Sequence, residues 1–263
     1  GTAYGAYFYF VKHLQLWDAS WIILVTTVTG FHALFNRFVK EFSLKQQIKK
    51  QFEHYLAPAM VKKLQKDPSL LKLGGETRHM TFMFSDIRGF TPISEKYKGD
   101  PEGLTKLINR FLTKMTEVII KNGGTIDKFM GDCIMAFWNA PIDDPRHERH
   151  AIAAALEMQE ELKILNANLI AEGLPKINIG IGINTGRALV GNMGSEQRFD
   201  YSVIGDAVNL AARLESSSKT LGKTLVVGED TVRVASLAYK FDYVDEITVK
   251  GKTEPVKVYT INS

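Results

Sequence analysis

Apolar and charged positions are distributed very unevenly along the chain. Residues 1–36 carry only Lys12 and Asp18 among Lys, Arg, Asp and Glu, whereas from residue 37 onward charged and apolar residues alternate at short intervals. Within the first stretch, residues 19–36 (ASWIILVTTVTGFHALFN) form an uncharged run of 18. That is close to the roughly 20 residues a helix needs to cross a bilayer core. Trp17 and Trp21 mark one end as interfacial anchors would, and Arg37, Lys40, Lys45, Lys49 and Lys50 against Glu41 give the other the bias of a cytoplasmic flank. The run predicts a transmembrane helix at about 19–36 that leaves the membrane inward. A buried core helix is the alternative, because Thr26, Thr27, Thr29, His32 and Asn36 weaken the hydropathy. The aromatic residues 1–11, GTAYGAYFYFV, predict the truncated end of an earlier span.

Residues 37–66 place Phe38, Phe42, Ile48, Phe52, Tyr55 and Leu56 on a narrow stripe, which predicts a helix within a connector at 37–75. The stripe suits either a short parallel coiled coil or an amphipathic helix packed on its own domain. Pro58, Asp67-Pro68 and Gly74-Gly75 punctuate the connector, so the next domain is placed at 76–263. There the periodicities alternate. Residues 80–86 (MTFMFSD) read as a strand, and Leu104, Leu107, Ile108, Phe111, Leu112, Met115, Val118 and Ile119 mark one face of a helix over 102–121. Two strands follow about a turn at Met130-Gly131-Asp132, then a helix at about 146–170 after Asp144-Pro145. A strand pair at 176–194, a short helix at 205–216 and a terminal hairpin at 248–261 complete the domain. The order β-α-ββ-α-β predicts an α+β, ferredoxin-like sheet.

Composition narrows the chemistry. With 45% hydrophobic and 24% charged residues the chain has material for a core and is not a disordered tract. Its one cysteine, Cys133, excludes an intrachain disulfide or a cysteine-based zinc site, fits a reducing compartment, and leaves metal binding to oxygen ligands. A net charge of +4 is too mild for a nucleic-acid footprint.

Two carboxylates stand out by position. Asp86 ends the first predicted strand and Asp132 lies at the hairpin turn; if those strands are neighbours, both reach one edge of the sheet, where a magnesium ion could take them as ligands. Each alone also fits a turn-forming or capping role. Ile87-Arg88-Gly89-Phe90-Thr91 offers backbone N–H groups ahead of a helix that could cradle phosphates. Asn209 and Arg213, four apart, share a helix face that could hold a sugar and stabilise phosphoryl charge, or simply face solvent. Gly186, Gly191 and Gly194 do not make a dinucleotide fingerprint and read as turns.

Four stretches then carry a family resemblance: FSDIRGFT (84–91), KFMGDCIMAFW (128–138), GIGINTGRALVGNMGS (180–195) and YSVIGDAVNLAARLES (201–216). In this order they resemble the motifs of class III nucleotidyl cyclases. The apolar N-terminus and the KQQIKKQFEHYLAPAMVKKL segment resemble bacterial membrane-anchored cyclases with a CHASE2 sensor upstream, which would place the chain in the inner membrane with its catalytic domain in the cytoplasm. The resemblance implies that Asp86, Asp132 and the carbonyl of Ile87 bind two magnesium or manganese ions. It implies that Lys128 reads the purine, Asn209 orients the ribose, Arg213 stabilises the transition state and Lys250 contacts the terminal phosphates. It further implies a homodimer in which one partner supplies the aspartates and the other supplies Lys128, Asn209, Arg213 and Lys250.

The implied reaction is cyclisation of ATP to cyclic AMP. Many adenylyl cyclases have an aspartate where Ser202 stands, but a hydroxyl still accepts a hydrogen bond. Lysine with serine resembles a bicarbonate-responsive subgroup, while guanylyl cyclases typically have glutamate in place of Lys128. A guanylyl cyclase or a silent dimerising relay are the alternatives; a diguanylate cyclase is disfavoured because no GGDEF-like pentapeptide is present.

Overall fold

The long apolar strand that the sequence places at 80–86 begins earlier and organises everything after residue 73. In the computed structural model, which describes residues 1–13, 20–52, 74–195, 197–248 and 255–261, it runs over Gly74–Ile87 as β1. The chain divides into two units, residues 1–56 and 57–263.

In the first unit, α1 spans Thr2–His13 and α2 spans Ser20–Phe52. Ser20–Ser43 of α2 has a mean hydropathy of 1.4, and none of its apolar window is buried. Its 24 residues rise about 36 Å at 1.5 Å each, more than the roughly 30 Å of a bilayer's hydrocarbon core. The threonines that weaken its hydropathy are satisfied within the helix. The hydroxyls of Thr26, Thr27 and Thr29 donate to the carbonyls of Ile22, Ile23 and Val25 at 2.7 Å, so they present no unpaired donor to an apolar surrounding. The helix passes Asn36 without a break, so the apolar segment and the first part of the connector are one element. Tyr55, Leu56, Pro58 and Asp67-Pro68 lie outside the described residues.

In the second unit β1 is followed by the short helix α3 (Phe90–Lys96) and then α4 (Pro101–Lys121). Pro101 opens α4, and the Asp100 side chain caps it by accepting the Gly103 N–H at 2.9 Å. Strands β2 (Thr125–Met130) and β3 (Cys133–Trp138) pair antiparallel, with Met130 opposite Cys133 across the Gly131-Asp132 turn. Helix α5 (His147–Ala171) leads to β4 (Ile179–Ser195) and β5 (Arg198–Ile204). Helix α6 (Asp206–Thr220), β6 (Leu225–Gly228), α7 (Glu229–Ala235), β7 (Asp242–Ile247) and β8 (Val256–Thr260) complete the order.

The sheet order is β2-β3-β1-β4-β6-β8-β7, with β5 paired to β4. Its first four strands have the ferredoxin-like arrangement: β3 and β4 flank β1 antiparallel, and the helical crossovers lie on one face. Met83, Ile87, Phe111, Met115, Ile134 and Trp138 pack with α4 and α5 on that face. Met80, Phe82, Phe84, Phe137 and Val190 pack with α6 on the other.

Three expectations differ from the structure. Residues 176–194 are not a strand pair; β4 is one strand of 17 residues whose hairpin partner is β5. Its glycines mark close approaches. A Cβ at Gly182 would lie 2.1 Å from the Glu215 nitrogen and 2.4 Å from the Ala211 carbonyl of α6, and one at Gly191 would lie 2.1 Å from the Gly74 carbonyl. The terminal hairpin draws its first arm from 242–247, upstream of the predicted 248–261. The short β6 and α7 were not anticipated, because four and seven residues carry little periodicity.

The contact at Gly182 gives a direct stability test. Gly182→Ala should lower stability by about 1–3 kcal/mol, the usual cost of overpacking, read as a lower midpoint of urea unfolding. An unchanged midpoint would show that α6 does not lie this close to β4.

Candidate active site

Pairing of Ser85 with Ile134 and of Met130 with Cys133 brings the end of β1 beside the β2–β3 turn. Gly131, at φ 67°, turns the chain tightly there, and Asp132 follows it. Asp86 and Asp132 therefore meet, as the split topology implies. Burial, followed by the adjacent negative charge of Asp132, pushes the Asp86 carboxyl up to about 6. Asp132 keeps one buried oxygen, Oδ2, without a hydrogen-bond partner.

A third carboxylate joins from α6. Burial and then the charge of Asp86 push Glu215 up to about 7, and its Oε1 lies over Gly180, the residue opposite Asp86 on β4. Sequence reasoning missed Glu215. Its signal is an acidic residue in the stripe Val208, Ala211, Glu215, Ser218, whose other members are buried. Ile87, buried, closes β1 next to Asp86, and the thiol of Cys133 is pushed up to about 12 by burial and the surrounding carboxylates. Converging carboxyls, an orphaned buried oxygen and an all-oxygen donor set fit a hard divalent cation.

The phosphate cradle expected at 87–91 is only partly available. The Arg88 N–H donates to the Asn178 carbonyl at 2.8 Å, and its guanidinium turns to Ser218 Oγ at 3.1 Å and to the Lys223 carbonyl. Gly89, at φ 67°, then starts α3, leaving Phe90 and Thr91 in its first turn.

A second group forms between β2 and β5. The β2–β3 register shifts between Ile126 and Lys128, and this bulge turns the Asp127 side chain fully inward while Lys128 stays half exposed. Ser202 Oγ donates to Asp127 Oδ2 at 2.8 Å, and Lys128 Nζ lies 3.4 Å from Oδ1. Burial raises the Asp127 carboxyl, and Ser202, Lys128 and the Val203 N–H oppose that rise. The sequence did not reveal Asp127, because regular strand alternation conceals a bulge.

Asn209 is exposed and Arg213 half-buried on α6. Arg213 and Glu215, two residues apart, are rotated by roughly 200° about the helix axis, so one helix sends them in opposite directions. Asp132 and the Ile87 backbone act on Asp86, and Asp86, Ser216, Arg88 and Asp132 act on Glu215. One chain thus brings together Asp86, Asp132 and Glu215, and separately Lys128, Ser202 and Asp127. Lys250 lies outside the described residues.

Residues 75–263 match the family model described as the adenylate and guanylate cyclase catalytic domain. The chain is similar to adenylate cyclase 1 of Rhizobium meliloti, 35% identical over 70% of this chain and 27% of that protein. It therefore spans little more than a quarter of that relative's length. Among solved structures it resembles an adenylyl cyclase from P. aeruginosa, with TM-score 0.68 and 37% identity over 73% of this chain and 97% of that one. A guanylyl cyclase structure matches with TM-score 0.65 and 36% identity over 72% and 94%.

The raised carboxyls fix a pH dependence. Asp86 rises from 3.8 to about 6 and Glu215 from 4.5 to about 7, so the folded chain binds these protons more tightly than the unfolded one. Their contribution is full below about pH 4 and is lost as pH rises through 6 to 7. In chelator, urea unfolding should show a chain losing stability over this window, and Asp86→Asn with Glu215→Gln should flatten the loss. An equal slope in that variant would contradict the assignment.

Proposed function

The chain belongs to the adenylate and guanylate cyclase catalytic domain family, and on that premise we propose that it converts ATP to 3',5'-cyclic AMP and pyrophosphate as a homodimer. The observation that carries the choice of ATP is the hydrogen bond from Ser202 to Asp127. With its proton directed at a buried carboxylate, Ser202 offers only lone pairs to a purine. Adenine presents an amino donor at position 6 where guanine presents an acceptor, so adenine is matched and guanine is not. Lys128, steadied beside the same carboxylate, adds a donor suited to the unprotonated ring nitrogen of adenine. The preference rests on this arrangement, since solved relatives include both adenylyl and guanylyl cyclases.

Asp86, Asp132 and the Ile87 carbonyl would hold two magnesium or manganese ions, which supply a lowered pKa for the ribose 3'-hydroxyl and neutralise triphosphate charge. Asn209 orients the ribose, and Arg213 stabilises the charge that develops on the α-phosphoryl group as the 3'-oxygen attacks and pyrophosphate leaves. Lys250 and the first-turn N–H groups at Phe90 and Thr91 steady the phosphates. Because Arg213 leaves α6 on the side away from Glu215, Arg213 serves the carboxylates of a second copy, and a two-fold dimer has two equivalent sites. A silent relay would be expected to lack metal or transition-state residues, and this sequence retains them. The exposed apolar helix anchors the chain in the inner membrane, with the catalytic unit in the cytoplasm and a CHASE2-type sensor upstream. The Lys128–Ser202 pairing extends the reading to activation by bicarbonate.

Purified chain assayed with either nucleotide should cyclise ATP well ahead of GTP, and Asp132→Ala should abolish turnover. Arg213→Ala should cost about 10³-fold, as loss of an arginine finger does. Asp127→Asn leaves one acceptor oxygen where the carboxylate has two; with that oxygen turned to Lys128, the amide donates to Ser202 and frees the hydroxyl to donate to guanine, so the ATP-to-GTP ratio should fall by about tenfold, one hydrogen bond's worth. Comparable turnover of the two nucleotides by the unaltered chain would overturn the base assignment.

A further inference from the structure

One cluster of ligating side chains takes no part in this chemistry: His79, His147 and Glu148. It lies far from the carboxylates. His79 and Asp86 are seven residues apart on β1, about 23 Å along a strand, and their parity puts them on opposite faces of the sheet. His79 and Thr81 share the face that Met83 and Ile87 turn to α4 and α5. Asp86 shares the other with Phe82 and Phe84.

His147 and Glu148 begin α5 and are 5% and 4% exposed. One ligand atom from each of the three residues lies within 4.8 Å of the other two, and His147 Nε2 is 3.4 Å from Glu148 Oε1. This separation is long for a hydrogen bond. It matches the edge, about 3.4 Å, of a tetrahedron of ligands placed 2.0–2.1 Å from a zinc ion.

The His147 ring is fixed from behind. Its Nδ1 lies 2.8 Å from Thr81 Oγ1, which lies 2.7 Å from Thr185 Oγ1, itself 2.9 Å from Thr231 Oγ1. A ligating imidazole is commonly held in this way through its second nitrogen, so that the first presents its lone pair to the metal. The His79 ring stands edge-on to His147, with centroids 5.5 Å apart, and His79 is exposed, so an ion has an entry path from solvent.

We propose that His79, His147 and Glu148 form a binding site for a first-row divalent transition metal, zinc by ligand chemistry, separate from the nucleotide site. Two imidazoles and one carboxylate are a recurrent three-ligand zinc set with the fourth position open to water. They are a poor set for magnesium, which prefers an octahedron of oxygens. An ion held there compensates the buried carboxylate of Glu148 and ties the start of α5 to β1.

The test uses the full chain in detergent, carrying Asp86→Asn and Asp132→Asn so that the other site does not compete, titrated with zinc alone against a chromophoric chelator. One zinc per chain is expected, with a higher midpoint of thermal unfolding in its presence. His79→Gln, at an exposed position that leaves the core intact by circular dichroism, should weaken zinc binding by about 100-fold or more, and Thr81→Val by about 10-fold. No tight zinc binding by the parent, or undiminished binding by the His79→Gln chain, would overturn the proposal.

Discussion

Asp86 and Asp132 are held against one another by backbone hydrogen bonds that neither side chain controls. β1 pairs with β3, β3 turns into β2 through Gly131-Asp132, and the two carboxyls arrive together with one oxygen of Asp132 buried and unpartnered. Folding alone leaves this like-charge contact uncompensated. It is relieved by retaining protons, as the raised Asp86 and Glu215 do, or by taking up a divalent cation. The catalytic proposal is the second solution. The sheet supplies the position, and a cation bound there would turn an electrostatic cost into substrate-binding charge.

Helix α6 extends the same constraint. Its inner stripe packs on β4, where Gly182 lets the backbones approach, and this contact places Glu215 with the carboxylates of its own chain. Arg213, two residues earlier, leaves on the other side of the helix. In the proposed arrangement Arg213, rotated roughly 200° from Glu215 about the helix axis, serves the aspartates of a second chain. The proposed division puts the Lys128–Asp127–Ser202 group with Arg213, and its internal hydrogen bond gives it a defined donor and acceptor pattern.

Much of this was legible in the sequence because the features were regular. The stripe of α4, the Gly-Asp hairpin turn and the strand ending in Asp86 each carry a strong local pattern, and the split order of elements implied that the two aspartates meet. What escaped had physical reasons. Asp127 is buried by a bulge that alternation does not reveal, and Glu215 occupies a slot of an otherwise buried stripe. The glycines of β4 looked like turns because a close approach and a turn both demand glycine. The roles of Asn209 and Arg213 came from family resemblance, since their spacing alone also describes a solvated face.

The central claim is that each active site is assembled from two chains. It is tested most directly by mixing an Asp132→Ala chain with an Arg213→Ala chain, each nearly inactive alone, and measuring cyclic AMP formation. If sites are shared, half of the randomly paired dimers carry one intact site of two, and activity should return to roughly a quarter of the unaltered enzyme's at the same total concentration. A mixture no more active than its separate components, under conditions where the chains exchange partners, would contradict the account.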